Sequence, residues 1–84
     1  MIAVNDNTKN LIISNTKLLE QLCNGEQNDS NINFISKLTR TLKDLFSLYI
    51  RTEQELDIDF IRQILFFENS DGTKRINSPI FSVL

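Results

Sequence analysis

The clearest pattern in the chain is a helical repeat of apolar residues in positions 31–51. A helix turns by about 100° per residue, so residues three and four apart share a face. Seven apolar side chains of this segment fall within roughly one third of the circumference: Phe34, Ile35, Leu38, Leu42, Leu45, Phe46 and Tyr49. The segment has no Gly or Pro, and Asp29, Ser30 and Asn31 offer side-chain caps at its start. It predicts a long amphipathic helix.

A shorter helix is predicted before it, over residues 8–24. Its apolar residues form two adjacent lines, Leu11, Leu18 and Leu22 beside Ile12, Leu19 and Cys23. Asp6 or Asn7 can cap its start, and Gly25 favours a stop. Residues 1–7 then form a flexible arm, and the polar stretch after Gly25 is a loop between two antiparallel helices.

A third helix is predicted over residues 58–68, with Asp57 as its N-cap. An alternative start is the capping-box sequence TEQE, which begins at Thr52. That start would place Asp57 inside an apolar arc made of Leu56, Phe60, Ile64 and Phe67. As a cap the same carboxylate is satisfied, so the later start is favoured.

The C-terminal segment, residues 69–84, is predicted to be a turn followed by an apolar tail. Asn69, Ser70, Asp71 and Gly72 form a dense turn signal. Ser78 and Pro79 resemble a helix start, which predicts a short helical turn, with an extended edge segment as the alternative. The sequence as a whole predicts an all-α fold: a single domain of three helices, short, long and short, with an apolar C-terminal segment.

The composition argues against catalysis and against cofactor or metal binding. The chain has no histidine, and Cys23 lies among apolar residues, where a structural role is expected. The carboxylates of Glu53, Glu55, Asp57 and Asp59 gather where a helix begins, which helix capping explains. A single cysteine and the lack of any long apolar run predict an intracellular protein, cytoplasmic or nuclear, that does not enter a membrane.

One candidate site is a basic stripe on the central helix. Lys37, Arg40, Lys43 and Arg51 share the side opposite the apolar residues. Four cations at this spacing can follow a phosphate backbone, which makes a small nucleic-acid-binding regulator the alternative function. Asp44 within the stripe and a net charge of −2 favour an ordinary solvated helix face instead.

The second candidate is a surplus of apolar residues outside the helical stripes. Ile13 and Ile58 are two examples, and a contiguous surplus of this kind is typical of interaction surfaces. The expected partner-binding residues are Leu48, Ile50, Phe66, Ile80 and Phe81. The leading hypothesis is therefore a non-catalytic helical interaction module, an adaptor or complex subunit that docks on another protein or on a second copy of itself.

Overall fold

Two long antiparallel helices form the body of the molecule. The computed structural model describes residues 4–52 and 55–84. Helix α1 is Val4–Asn24, with 21 residues, and helix α2 is Asp29–Thr52, with 24 residues. The Lys9 ammonium lies 6.0 Å from the centroid of the Tyr49 ring, whereas the loop of residues 25–28 joins the opposite ends. The mostly helical character is confirmed, but α1 is nearly as long as α2, so the short, long, short order does not describe the fold.

Helix α1 begins earlier than the sequence indicated. Residues 4–7, predicted as part of the arm, are helical, and residues 1–3 lie outside the described residues. The buried side chains of Thr8 and Thr16 lie on the same face as Ile12 and Leu19. The core-facing side of α1 therefore includes threonines, and it extends further towards the N-terminus than the apolar residues alone suggest.

The cap of α2 is Asn28, one residue before the three caps that the sequence suggested. Its side-chain Oδ1 accepts a hydrogen bond from the Asn31 N–H at 2.9 Å, and its carbonyl accepts one from the Ile32 N–H at 2.9 Å. A side-chain oxygen in this position satisfies one of the N–H groups that the first helical turn leaves free. The helix therefore starts at Asp29 rather than at Asn31.

Asp57 caps the third helix, as predicted. Helix α3 is Ile58–Ile64, and the Asp57 carboxylate accepts a hydrogen bond from the Phe60 N–H at 3.2 Å. The alternative start places Glu53 and Gln54 in the helix, and these two residues lie outside the described residues. The predicted end at Glu68 is wrong, because the chain leaves the helix after Ile64 and becomes extended.

A small β-hairpin follows α3, in a region that the sequence predicted as helix and tail. Strands β1 (Phe66–Glu68) and β2 (Lys74–Ile76) are antiparallel, and Phe66 lies opposite Ile76. The predicted turn lies between them, and Gly72 has a φ of 86°, which glycine adopts without steric cost. The Asp71 carboxylate accepts hydrogen bonds from the Thr73 N–H and hydroxyl, which fixes the turn and holds the pKa of that carboxyl below its usual value.

The predicted C-terminal helical turn is present as α4, Ser78–Phe81. Its N-cap is Asn77 rather than Ser78, and Pro79 lies in the first turn, where a missing N–H has no hydrogen bond to lose. Asn77 is fully buried, and its side-chain amide donates to the Ile64 carbonyl at 2.7 Å. Its backbone N–H donates to the Leu65 carbonyl at 2.8 Å, so Asn77 satisfies the carbonyls at the end of α3.

One continuous core lies between the two long helices and the shorter elements, which are α3, the β-hairpin and α4. The ring of Tyr49 stacks on Phe46 at a centroid distance of 5.9 Å and meets Phe60 edge-on at 5.1 Å. Aromatic pairs in these arrangements add to the stabilisation from buried area. The buried apolar residues are Ile12, Leu19, Leu38, Leu42, Phe46, Tyr49, Phe60, Ile61, Ile64, Phe67 and Ile80.

Candidate interaction surfaces

The start of α3 and the hairpin are both bound to the same side of α1. The Lys9 ammonium forms an ion pair with the Asp57 carboxylate at 3.3 Å, next to the start of α3. Further along α1, the Glu20 carboxylate accepts a hydrogen bond from the Glu68 N–H at 2.8 Å. These contacts define the side of α1 that carries α3 and the hairpin.

Helix α2 faces the same layer of shorter elements. Ile35 and Thr39 line a cleft together with Phe67 of the hairpin and Pro79 of α4, and its cavity volume is about 190 Å³. Cys23 also lines this cleft and is half-buried. The hairpin and α4 therefore lie over the same side of the helix pair that carries α3.

The opposite flank of the two helices presents an apolar surface. Leu11 is two residues from Lys9, and Leu18 is two residues from Glu20. Each leucine therefore lies about 160° around α1 from the side that contacts α3 and the hairpin. Phe34 and Leu48 are likewise about 140° and 180° around α2 from Thr39. The residues on this flank, which we call the open face, are Leu11, Asn15, Leu18, Leu22, Phe34, Thr41, Leu45 and Leu48.

Four side chains of the open face are substantially exposed. Leu11 is 51% exposed, Phe34 47%, Leu48 40% and Leu18 39%, which are large values for side chains of this size. Leu22 and Leu45 are partly buried against the core, and none of the open-face residues is charged. The sequence pattern placed Leu11, Leu18 and Phe34 on core-facing stripes, and that assignment is wrong.

The five predicted partner-binding residues are divided among different parts of the molecule. Leu48 lies on the open face, whereas Phe66 and Phe81 are exposed on the hairpin and on α4. Ile50 is half-buried and packs against the core. Ile80 is 0% exposed, so its assignment to an exposed surface is wrong: α4 folds this side chain into the monomer's own core.

Ile13 and Ile58, the other two residues predicted to lie outside the helical stripes, also have different surroundings. Ile13 packs against the core, whereas Ile58, at the start of α3, is exposed. On the hairpin, the exposed side chains of Phe66 and Ile76 lie directly opposite each other. Phe66 and Ile76 therefore form a small apolar patch on the hairpin.

The basic stripe is exposed on α2. Lys37, Arg40, Lys43 and Arg51 are all exposed, and the first two line a shallow depression with Asn33 and Ser36. None of the four makes an ion pair within residues 4–52 and 55–84. Asp44 is exposed beside them, so the stripe is not purely cationic.

Cys23 lies in a cleft that is lined mainly by apolar side chains. The cleft that it lines contains one charged side chain, Arg75, whose guanidinium lies 5.6 Å from the centroid of the Phe67 ring. A cation over a ring is a packing interaction. Among the described residues no group of three or more potential metal ligands is found, and no helix there combines the length and apolarity needed to cross a membrane.

Folding changes the environment of the Asp57 carboxylate. The hydrogen bond from the Phe60 N–H and the nearby Lys9 ammonium hold its pKa below the ordinary value of 3.8. A lowered pKa in the folded state means that Asp57 stabilises the fold above its unfolded pKa and loses this effect as the pH falls through the folded pKa.

The lowered pKa of Asp57 predicts a testable dependence of stability on pH. Asparagine also caps helices well, so Asp57→Asn keeps the hydrogen-bond acceptor and removes the charge. We expect the variant to melt below the wild type at pH 7 and the difference in melting temperature to shrink as the pH falls below about 4. Thermal melts from pH 7 to pH 2.5 measure this, and a difference that does not change with pH would show that the charge contributes nothing.

Comparisons of the chain with protein-family models, with curated proteins and with solved structures find no match.

Proposed function

We propose that the protein is a non-catalytic interaction module that docks on a protein partner through the open face. The observation that carries this proposal is the exposure of Leu11, Leu18, Phe34 and Leu48 on one flank of the helix pair. Exposed apolar residues that occur singly are normal, but a contiguous group is typical of a binding surface.

The lack of charge on the open face supports the same proposal. The cores of protein interfaces are depleted of charged residues and enriched in apolar and aromatic ones, with polar residues at the rim. The open face has this composition, because its polar members Asn15 and Thr41 are uncharged and Lys37 and Asp44 lie along its border on α2. The remaining exposed hydrophobes, such as Phe81, are distributed over the shorter elements and the N-terminal end of α2.

A non-catalytic role fits the positions of the polar side chains. Asp57 caps α3, Asp71 fixes the hairpin turn and Asn77 joins α3 to α4, so each has a structural task. The single cysteine is half-buried beside the core and fits an intracellular setting. An adaptor or complex subunit within the cell is the function that these features support best.

The test compares polar substitutions on and off the open face. Leu18→Ser with Leu48→Ser changes the open face, and Ile58→Ser with Phe81→Ser changes side chains that are at least as exposed but lie elsewhere. We expect both double variants to stay folded, because none of these four side chains belongs to the buried core. Only the open-face variant should lose binding, measured by sedimentation of the purified chain and by affinity capture from its source extract.

Three results would contradict the proposed function. Equal binding by the open-face variant and the wild type would remove the open face from consideration. Unfolding of the open-face variant, checked by circular dichroism, would mean that these residues belong to the monomer's core. Loss of binding only in the Ile58 and Phe81 variant would move the interface to the shorter elements.

A second candidate function is nucleic-acid binding through the basic stripe. The supporting observation is that all four cations are exposed and that none forms an ion pair in the described part of the chain. Cations that are not neutralised within the protein are available to replace counterions on a phosphate backbone. The net charge of −2 and the position of Asp44 make this the weaker candidate.

A salt titration separates this candidate from the first. If the stripe contacts phosphates, affinity for an oligonucleotide should fall steeply as salt rises, with a log–log slope of about −3 to −4 for four contacts to duplex DNA. Arg40→Glu should abolish binding, whereas Lys17→Glu, on the exposed side of α1, should reduce it only slightly. No binding at low ionic strength would exclude the stripe as a nucleic-acid site.

A further inference from the structure

The open face has a sequence symmetry about Thr41 on α2. Phe34 is seven residues before Thr41 and Leu48 is seven residues after it, so the three lie along nearly one line of the helix. Two copies of α2 packed antiparallel about a two-fold axis at Thr41 would place Phe34 of each copy against Leu48 of the other. The small Thr41 side chain at the axis allows the helices to approach closely.

The charged border of the open face has the same symmetry. Lys37 and Asp44 are both exposed on the edge of α2 next to the open face, four residues before and three residues after Thr41. In the antiparallel arrangement each Lys37 lies within one residue of the level of Asp44 in the other copy, so opposite charges meet twice. Complementary charge at the rim of an interface fixes register and orientation.

Helix α1 presents its exposed leucines at the same level. Lys9 on α1 contacts the ring of Tyr49 on α2, so the part of α1 level with Thr41 lies between Leu11 and Leu18. The same two-fold axis therefore passes between these two leucines and pairs α1 with its copy. Four helices packed in this way form a bundle whose centre carries no charge.

We propose that the open face binds a second copy of this chain, in a two-fold symmetric dimer with α2 packed antiparallel on α2 about Thr41. This inference rests on the proposed function and names the partner. A symmetric interface must be self-complementary, because each residue i that contacts j requires j to contact i. The spacing of Phe34 and Leu48 and the positions of Lys37 and Asp44 meet that requirement.

The test uses charge reversal at the border of the open face. Lys37→Glu places two carboxylates together at both ends of the dimer, and Asp44→Lys places two ammonium groups together. Each variant alone should dimerise about tenfold more weakly than the wild type, measured by sedimentation equilibrium. A mixture of the two variants restores both attractive pairs, so it should form a heterodimer with an affinity close to that of the wild type.

The apolar part of the interface is tested separately. Phe34→Ser should weaken the dimer at least tenfold, because it removes both pairings with Leu48. Phe81→Ser is the matched control, since Phe81 is 54% exposed on α4 and should leave dimerisation unchanged. Circular dichroism checks that both variants are folded.

The outcomes distinguish this inference from the proposed function. A wild-type chain that stays monomeric at millimolar concentration would overturn the dimer. If that monomer still lost a protein partner upon Leu18→Ser with Leu48→Ser, the docking function would stand with another occupant. A dimer in which the mixed charge variants associate no better than either one alone would overturn the antiparallel arrangement about Thr41.

Discussion

Leu42→Ala should lower the free energy of unfolding by about 2–5 kcal/mol. Leu42 is 0% exposed at the centre of α2, so the truncation removes buried methyl groups and leaves a cavity. The total stability of an 84-residue chain is on the order of 4–13 kcal/mol. The single change therefore threatens the fold, and urea denaturation followed by circular dichroism measures the loss.

Two further truncations on α2 serve as controls. Arg40→Ala removes an exposed side chain and should change the free energy of unfolding by less than about 0.5 kcal/mol. Phe34→Ala is the sharper control, because the sequence pattern placed Phe34 in the core and the structure leaves it 47% exposed. A loss for Phe34→Ala that equals the loss for Leu42→Ala, in a chain verified to be monomeric, would contradict the orientation of α2.

Asn77→Ala should be the most damaging change of a polar side chain. The Asn77 amide donates to the Ile64 carbonyl at 2.7 Å, and both residues are buried. Without this donor, the carbonyl at the end of α3 has no replacement partner, which costs about 1–3 kcal/mol, and the cavity adds to that cost. Urea denaturation of the variant against the wild type gives the value.

Asn77→Asp and Ser78→Ala complete that experiment. Asp has nearly the same shape but at neutral pH presents a carboxylate to the Ile64 carbonyl, so the loss of stability at pH 7 should be at least as large as for Asn77→Ala. Ser78 is exposed and makes no side-chain cap, so Ser78→Ala should be nearly neutral. A neutral effect of Asn77→Ala would mean that the junction between α3 and α4 does not depend on this amide.

The parts of the fold that the sequence predicted are those with strong local signals. The long helix α2 follows from its apolar repeat, α3 starts where Asp57 caps it, and the turn before Gly72 lies where predicted. Each signal acts within a few residues: a periodic face, a side-chain cap and a residue that tolerates positive φ. The helical turn at Pro79 belongs to the same group.

The hairpin could not be predicted from the same signals. Its strands have three residues each, which is too short for an alternating pattern to be distinguished from a helix. Phe67 is three residues after Ile64, so it also fits a continued helical stripe, and it is buried in the observed strand. The end of α3 is instead fixed by Asn77, thirteen residues away from Ile64, and such a contact is invisible to local sequence analysis.

The open face was only partly predictable, for a related reason. Periodicity shows which residues share a face, but two overlapping stripes on α1 both qualified as the core side. The buried stripe proves to include Thr8 and Thr16, whereas Leu11 and Leu18 are exposed. The sequence identified Leu48 as an apolar residue outside the main stripe, but it did not show which residues surround Leu48 on the open face. That depends on which side of the helix pair the shorter elements cover.

The most direct test of the central claim uses a photoreactive label at the middle of the open face. A cysteine introduced by Thr41→Cys in a Cys23→Ser background carries the label, and Ser36→Cys, which is exposed and lies about 140° around α2 from Thr41, carries it in the control. On irradiation in the source extract, position 41 should form a covalent adduct with another protein chain, at twice the mass of the monomer if the partner is a second copy. No adduct from position 41, or equal adducts from both positions, would contradict the assignment of the open face as the docking surface.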